Sequence, residues 1–419
     1  MMAGRNILIV ALAGAIATGF AWWMLNKEPG DAGAAQPAVP SAPAAANENL
    51  QTPHPPVPAL PAEHPPVNQG GAGTVTPDPD SQYTHFQVGE RNVRRMMIEG
   101  DIVWVGTSGG VIRYNTSTDA FRHFSTNMGL IANGVFHLSR WREKIAIGTY
   151  GGGLSLLDES NETFTHYNIP EGLADAFVYD MVETVDGNLW IATWSGANLV
   201  LDGDLDNPDK WQTFTVENTN KGLPNDWVYA LSRGEEGVTW FATEGGLARY
   251  KDGVWNNWNH ADGLGADYEL VKDDIQFKND PAQYSEHHSR QKVEMGLQDV
   301  DVAYNPNYIV ALEVTKGDIV WAGTWGGGLA RFDGKSWTNF TTKDGLPSNH
   351  VFMIYEGRDK RLWVGTGKGL ARMEDDGSFT VFTTADGLFS DIIFSMVEAE
   401  DGSFWIGSFG GVTHIKSLP

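Results

Sequence analysis

One dipeptide, recurring at a near-constant interval, constrains this chain more than any other feature. Of the chain's Gly-Leu pairs, those at Gly129, Gly172, Gly222, Gly263, Gly345 and Gly387 stand at spacings of 43, 50, 41, 82 and 42 residues. A unit of that length is too short to own a core and must bury its apolar face against copies of itself. Inside the unit Gly345–Leu388 the apolar residues alternate over short runs, VFMIY, RLWVGT, GLARM and FTVFT, with Gly, Asp and Asn between them. That alternation is the period of strands, and it gives four strands per unit. Four-stranded sheets that are apolar on both faces stack radially and close a ring without a long exposed edge. The expected fold is therefore all-β, a β-propeller.

The second strand of the unit is the easiest to count. It reads WVGT from Trp104, AIGT from Ala146, WIAT from Trp190, WFAT from Trp240, WAGT from Trp321, WVGT from Trp363 and WIGS from Trp405, which makes seven blades. The seventh ends at GVTHIKSLP with no fourth strand, while Tyr83–Val88 (YTHFQV) has the character of a fourth strand that lacks its blade, like FTHYNI at Phe164–Ile169. The simplest closure pairs this N-terminal strand with the last blade.

The pattern GLPxNxV, then DxxGxLWxGT, then GGLxRY and FxxFTxxDGL resembles the two-component regulator propeller repeat, with blade 6 the best match and the likeness running from about Tyr83 to Pro419. The resemblance implies a β-propeller of the kind found in the extracytoplasmic sensor regions of bacterial hybrid histidine kinases, here without the kinase.

Ahead of the propeller lie two segments of different character. Ile7–Leu25 is 19 residues without a charge, flanked by Arg5 and Lys27; at ~1.5 Å per residue it is long enough to cross the hydrocarbon core of a bilayer. Ala15 and Ala17 offer a signal-peptidase-like site, but the apolar run continues past them to Trp22 and Trp23, which suit an interfacial belt. Residues 1–27 are thus expected to be an uncleaved anchor, single-pass in a bacterial inner membrane, with the propeller in the periplasm. Residues 28–82 hold 13 of the 20 prolines, a composition that makes a Pro/Ala-rich disordered tether. The formal charge of −24 argues against nucleic acid, and the absence of cysteine removes disulfides and thiol nucleophiles.

Within the propeller, 83–419, the 82-residue spacing marks an insertion at about 267–307, expected at the end of the ring that also carries the inter-blade loops. On that end the residue after each GT-type turn is Ser108, Tyr150, Trp194, Glu244, Trp325, Gly367 or Phe409. Tyr150, Trp194, Trp325 and Phe409 are expected to stand exposed around a wide cup that stacks on a sugar or receives a protein knob. Glu244 and the inter-blade residues Asp226, Asn349 and His350 join them as candidate ligand contacts, although Asn and Asp also brace turns. Asp202, Asp204 and Asp206 have the D-x-D-x-D spacing of a calcium loop, but Asn207 stands where the loop needs Gly and Thr213 where it needs Glu. GTSGG at Gly106–Gly110 matches a nucleophile elbow only as a string, since no helix follows it. No catalytic residue emerges. Two functions remain: a binding module for a glycan, a peptide or a membrane or envelope protein, through which it acts; or a lyase resembling the streptogramin lyases, working at the central mouth with a histidine and a metal.

Overall fold

The computed structural model describes residues 82–277, 280–283 and 286–416. The expected anchor and nearly all of the tether lie outside these residues. Among the described residues no helix is long and apolar enough to cross a membrane.

The described chain is a series of antiparallel sheets of four strands, each sheet built from strands consecutive in sequence, and one sheet of six. The six-stranded sheet holds the closure. Its long strand Tyr83–Glu99 pairs through Tyr83–Gln87 with Gly411–Ile415, the outer half of Phe404–Ile415, then bends and pairs through Val93–Glu99 with Ile102–Thr107. The first strand of the chain is thus the fourth strand of its last unit, as its sequence suggests. Phe86 seals the junction, its ring 5.3 Å from that of Trp405 and 5.1 Å from that of Tyr114.

The repeated residues each have a mechanical task. The hydroxyl of the Thr or Ser ending each second strand donates across the following hairpin to a glycine carbonyl: Thr107 to Gly110, Thr149 to Gly153, Thr193 to Gly196, Thr243 to Gly246, Thr324 to Gly328, Thr366 to Gly369 and Ser408 to Gly411, at 2.7–2.9 Å. The residue before it must be Gly or Ala because the next unit packs there. A Cβ on Gly106 would sit 2.8 Å from a methyl of Val135, and one on Gly323 2.6 Å from a methyl of Val351. In the Gly-Leu pair the glycine ends a 3-10 turn with φ between 95° and 130° at Gly129, Gly172, Gly263, Gly345 and Gly387, a region open to Gly. The leucine that follows is buried between sheets.

The described residues of the inserted segment between Gly263 and the strand Asn305–Thr315 include a small core of their own, with Ala266, Val271, Ile275, Val300 and Tyr304 packed together. It carries the short helix Tyr268–Val271 and the helix Glu286–Glu294. Lys292, buried, pairs with buried Asp280 and also donates to the carbonyl of Val302 at 3.0 Å. The next unit resumes at Asn305, slightly before the sequence-based boundary.

Candidate functional site

The first strand of every unit skips one residue in its pairing with the second. Val93 and Arg95 pair with Thr107 and Gly106, for example, and Val351 and Met353 with Thr366 and Gly365. A bulge of this kind re-aims the extra side chain. The skipped residues are Arg94, Phe136, Tyr179, Tyr229, Val310, Phe352 and Phe394. All seven line one cavity of about 610 Å³ enclosed by the first strands.

Five of the seven are aromatic and they touch in sequence. Ring centroids are 4.7 Å apart from Phe136 to Tyr179, 4.9 Å from Tyr179 to Tyr229 and 5.5 Å from Phe352 to Phe394. Where blade 5 places Val310, Tyr308 and Trp325 bridge the gap, at 4.7 Å from Tyr229 to Tyr308, 5.6 Å from Tyr308 to Trp325 and 5.9 Å from Trp325 to Phe352. Arg94 extends the collar at its other end, with its guanidinium 4.9 Å from the centre of the Phe136 ring.

Beside the collar sits a buried charge cluster. The Asp180 carboxylate accepts from Arg95 at 3.0 Å, from the backbone N–H of Leu231 at 2.9 Å and from that of Met181 at 3.0 Å, and lies 2.7 Å from Nδ1 of His137. Burial alone would raise its pKa, but Arg95 and then His137 outweigh it and hold the group down to about 2. Farther along the cavity, burial and then the neighbouring charge of Glu356 push Glu313 up to about 7.

The inserted segment caps this cavity at the end carrying the inter-blade loops. Phe277 stacks on Trp325 at 5.8 Å and meets His350 edge-on at 4.6 Å, while Nε2 of His350 lies 2.9 Å from the carbonyl of Ala303. Gln276 donates to the carbonyl of Gly367 at 2.8 Å. His287 stacks on Trp227 at 3.9 Å, and His288 Nε2 is 2.9 Å from Oε1 of Glu244. Glu244 is fully buried and also accepts from the Tyr229 hydroxyl at 3.2 Å. Burial opposes its ionisation, yet His288 and His287 hold its pKa to about 2; burial likewise works against protonated His288, and Glu244 reverses this and raises it.

The wide exposed cup expected from the turn tips is therefore filled. Trp194 is 6% exposed and Trp325 7%. Trp194 is held by Phe177 at 4.9 Å and Trp227 at 4.5 Å, and Tyr150 joins the same row through Phe177 at 4.7 Å. Phe409 is half-buried within the strand Phe404–Ile415. His350 is wholly buried, not a rim residue. Asp226 and Asn349 accept from backbone amides, Val216 at 2.7 Å and Thr342 at 3.1 Å, and Asn133 and Asp391 do the same at Thr126 and Thr384. Their repetition from unit to unit is that of a brace. The three aspartates of the calcium-like spacing do not converge: Asp202 pairs with Lys210 at 2.7 Å, and Asp206 accepts from the Tyr167 hydroxyl at 2.8 Å. Among the described residues no group of three or more His, Cys, Asp or Glu side chains could hold a metal.

The collar itself went unread in the sequence, although its signal is present. A Val or Ile followed by an aromatic residue opens the first strand at Val135-Phe136, Val178-Tyr179, Val228-Tyr229, Val351-Phe352 and Ile393-Phe394.

Segments 172–195 and 345–368 match the two component regulator propeller model. The chain carries the two component regulator propeller repeat. No curated protein matches it in sequence. Among solved structures, the extracellular domain of a hybrid two component system of B. thetaiotaomicron is 17% identical with a TM-score of 0.59, over 80% of this chain and 42% of that one. The extracellular domain of a one component system of the same organism is 16% identical with a TM-score of 0.56, over 80% of this chain and 40% of that one. The regulator propeller thus spans about two fifths of the length of these two extracellular domains. A catalytically inactive virginiamycin B lyase from Staphylococcus aureus, solved with quinupristin, is 10% identical with a TM-score of 0.56, over 80% of this chain and 99% of the lyase. These likenesses are of fold.

Proposed function

We propose that this chain is a membrane-tethered, extracytoplasmic binding module, a seven-bladed regulator propeller held to the inner membrane by residues 7–25 and spaced from it by the Pro-rich tether. Its ligand occupies the central cavity against the aromatic collar, beneath the inserted cap, and the bound state is read by a membrane or envelope protein partner. The observation that carries this reading is the aromatic bulge repeated in five of seven first strands and aimed into one cavity of about 610 Å³. Hairpin closure and sheet packing use the Thr, Gly, Val and Leu of the repeat, and neither demands an aromatic residue at the bulge. A cavity of that size, with apolar ring faces beside charged side chains such as Arg94, Asp180 and Glu313, suits a small ligand of one to a few rings. The test is a thermal-shift screen of the full chain with short oligosaccharides, peptides and ring-bearing metabolites, repeated on a Tyr179→Ala, Tyr229→Ala double variant. Compounds that stabilise the native chain should lose that effect in the double variant. If every such compound stabilises both proteins equally, the ligand lies elsewhere and the cavity assignment is wrong.

A further inference from the structure

Arg94 is the departure from the collar. At the position where the other units place Phe, Tyr or Val, the first unit places a cation, and among the described residues no carboxylate forms an ion pair with it. Its neighbour Arg95 spends its charge on Asp180 at 3.0 Å, whereas the Arg94 guanidinium lies over Phe136 and its electrostatic neighbours are Tyr308, Tyr179 and Tyr150. Burial lowers its pKa, so the fold bears a cost for keeping a charge there. Cation–π contact with one ring and tyrosine dipoles offset part of that cost and replace only part of the lost hydration. A cation that has no ion-pair partner among the described residues, set at a position where most units place a ring, is an unfilled half of an ion pair.

Resting on the proposal that the central cavity is the binding site, we infer that Arg94 receives the carboxylate of a small, ring-bearing monocarboxylic acid whose ring stacks on the aromatic collar. Three features narrow the class. The guanidinium fork matches a planar carboxylate in two parallel hydrogen bonds. The hydroxyl of Tyr179, whose pKa burial and then Tyr308 raise well above the ordinary value, stays protonated and able to donate. The rest of the lining carries Asp180, Glu313 and Glu398, and the whole chain a formal charge of −24, so a ligand with several negative charges is repelled where a single carboxylate is neutralised.

The test uses matched probes in which a neutral group replaces the carboxylate: 4-hydroxybenzoate against 4-hydroxybenzamide, and glucuronate against glucose, titrated calorimetrically into the full chain and into Arg94→Gln, Arg94→Lys and Arg94→Tyr. The native chain should prefer each acid over its neutral partner by about tenfold or more. Arg94→Gln and Arg94→Tyr should erase the preference, and Arg94→Lys should keep part of it. Arg94→Tyr, which restores the residue found at Tyr179 and Tyr229, should also melt at or above the native temperature without ligand, because it removes an unpaired charge. Equal binding of acid and neutral probe, with both lost on Tyr179→Ala and Tyr229→Ala, would overturn the anion subsite and leave the cavity as the binding site. Binding of neither acid would overturn the subsite for ring carboxylates, and so would an acid preference that survives Arg94→Gln. A lower melting temperature for both Arg94→Gln and Arg94→Tyr would make Arg94 a structural strut and end the inference.

Discussion

Replacing Asp180 by Asn probes the buried charge that ties the first strands of four successive units together. Its carboxylate takes hydrogen bonds from Arg95 on the strand Tyr83–Glu99 and from Leu231 on Val228–Arg233, and it meets His137 on Val135–Trp141. Asp180 itself stands on Val178–Glu183, directly after the collar residue Tyr179. A carboxylate 6% exposed that titrates at about 2 instead of its ordinary 3.8 contributes roughly 2–3 kcal/mol to folding at neutral pH. The amide of Asn loses the charge and turns one donor toward donors, so the expected cost of the substitution is about 3–5 kcal/mol. For a domain of this size that corresponds to a fall in melting temperature on the order of 5–10 °C. The sign of the pH dependence follows from the depressed pKa. The contribution is present above the unfolded carboxyl pKa and disappears as the pH falls through the folded value. Scanning calorimetry of the native and Asn proteins should therefore show the full gap at neutral pH, and a gap that shrinks as the pH drops from about 4 toward 2. A variant that melts within about 1 °C of the native chain at neutral pH would refute the argument. So would a gap that stays constant down to about pH 3.

The closure and the cap each give a further test. Deleting Tyr83–Val88 strips the edge strand from Gly411–Ile415 and removes Phe86 from its seat against Trp405, so the whole propeller should lose at least about 3 kcal/mol and melt in one lowered transition; an unchanged melting temperature would show that the ring does not depend on this strand. The pairing of Glu244 with His288 should make docking of the helix Glu286–Glu294 pH-dependent, with Asp280 adding to and Lys292 subtracting from the charge that His288 feels. Depressed Glu244 contributes above the unfolded glutamate pKa and fails as the pH falls through about 2, whereas raised His288 contributes below the unfolded histidine pKa and fails as the pH rises through its folded value. Hydrogen exchange in that helix, corrected for intrinsic rates, should accordingly be slowest in the mildly acidic range and quicken above neutrality, with Glu244→Gln abolishing the dependence. A flat profile in the native chain would refute pH-dependent docking through this pair.

Much of the fold was legible because it rests on residues whose tasks recur. Gly-Leu reports a left-handed turn, the WxGT strand a tight contact with the next unit, and the stray YTHFQV segment a missing partner strand, and each shows in the sequence because the repeat supplies the pattern to compare it with. The mouth was not legible in this way. Whether Trp194 and Trp325 face solvent depends on Trp227 and Phe277, and Phe277 belongs to an inserted segment that follows no repeat and so carries no register. The same blindness hid the partnership of Glu244 with His288, residues 44 positions apart that only the folded cap brings within 2.9 Å.

The collar residues recur as well, yet the alternation of a strand does not single them out. An aromatic residue after Val at the start of a strand reads as one more alternating apolar position, inside a sheet that is apolar on both faces anyway. What separates it from the core is the bulge, and a bulge is a matter of register that the alternation of one strand cannot report. Once the skipped pairing is known, the repeat divides into two sets of positions. The Val, Gly and Thr around the bulge are constrained by the neighbouring unit and vary little across the chain. The bulged residue faces the cavity, and there the units differ, from Phe and Tyr to Val310 and Arg94. A ring that holds its scaffold constant while letting one inward position per unit vary can change ligand without changing fold, so substitution of the bulge residues should alter binding far more than stability. Asp180 follows one bulge residue and Arg94 is another, and their contrasting expected effects on melting, a loss for the first and none for the second, follow from the hydrogen-bonded charge partners that Asp180 has and the ring contact that Arg94 has in their place.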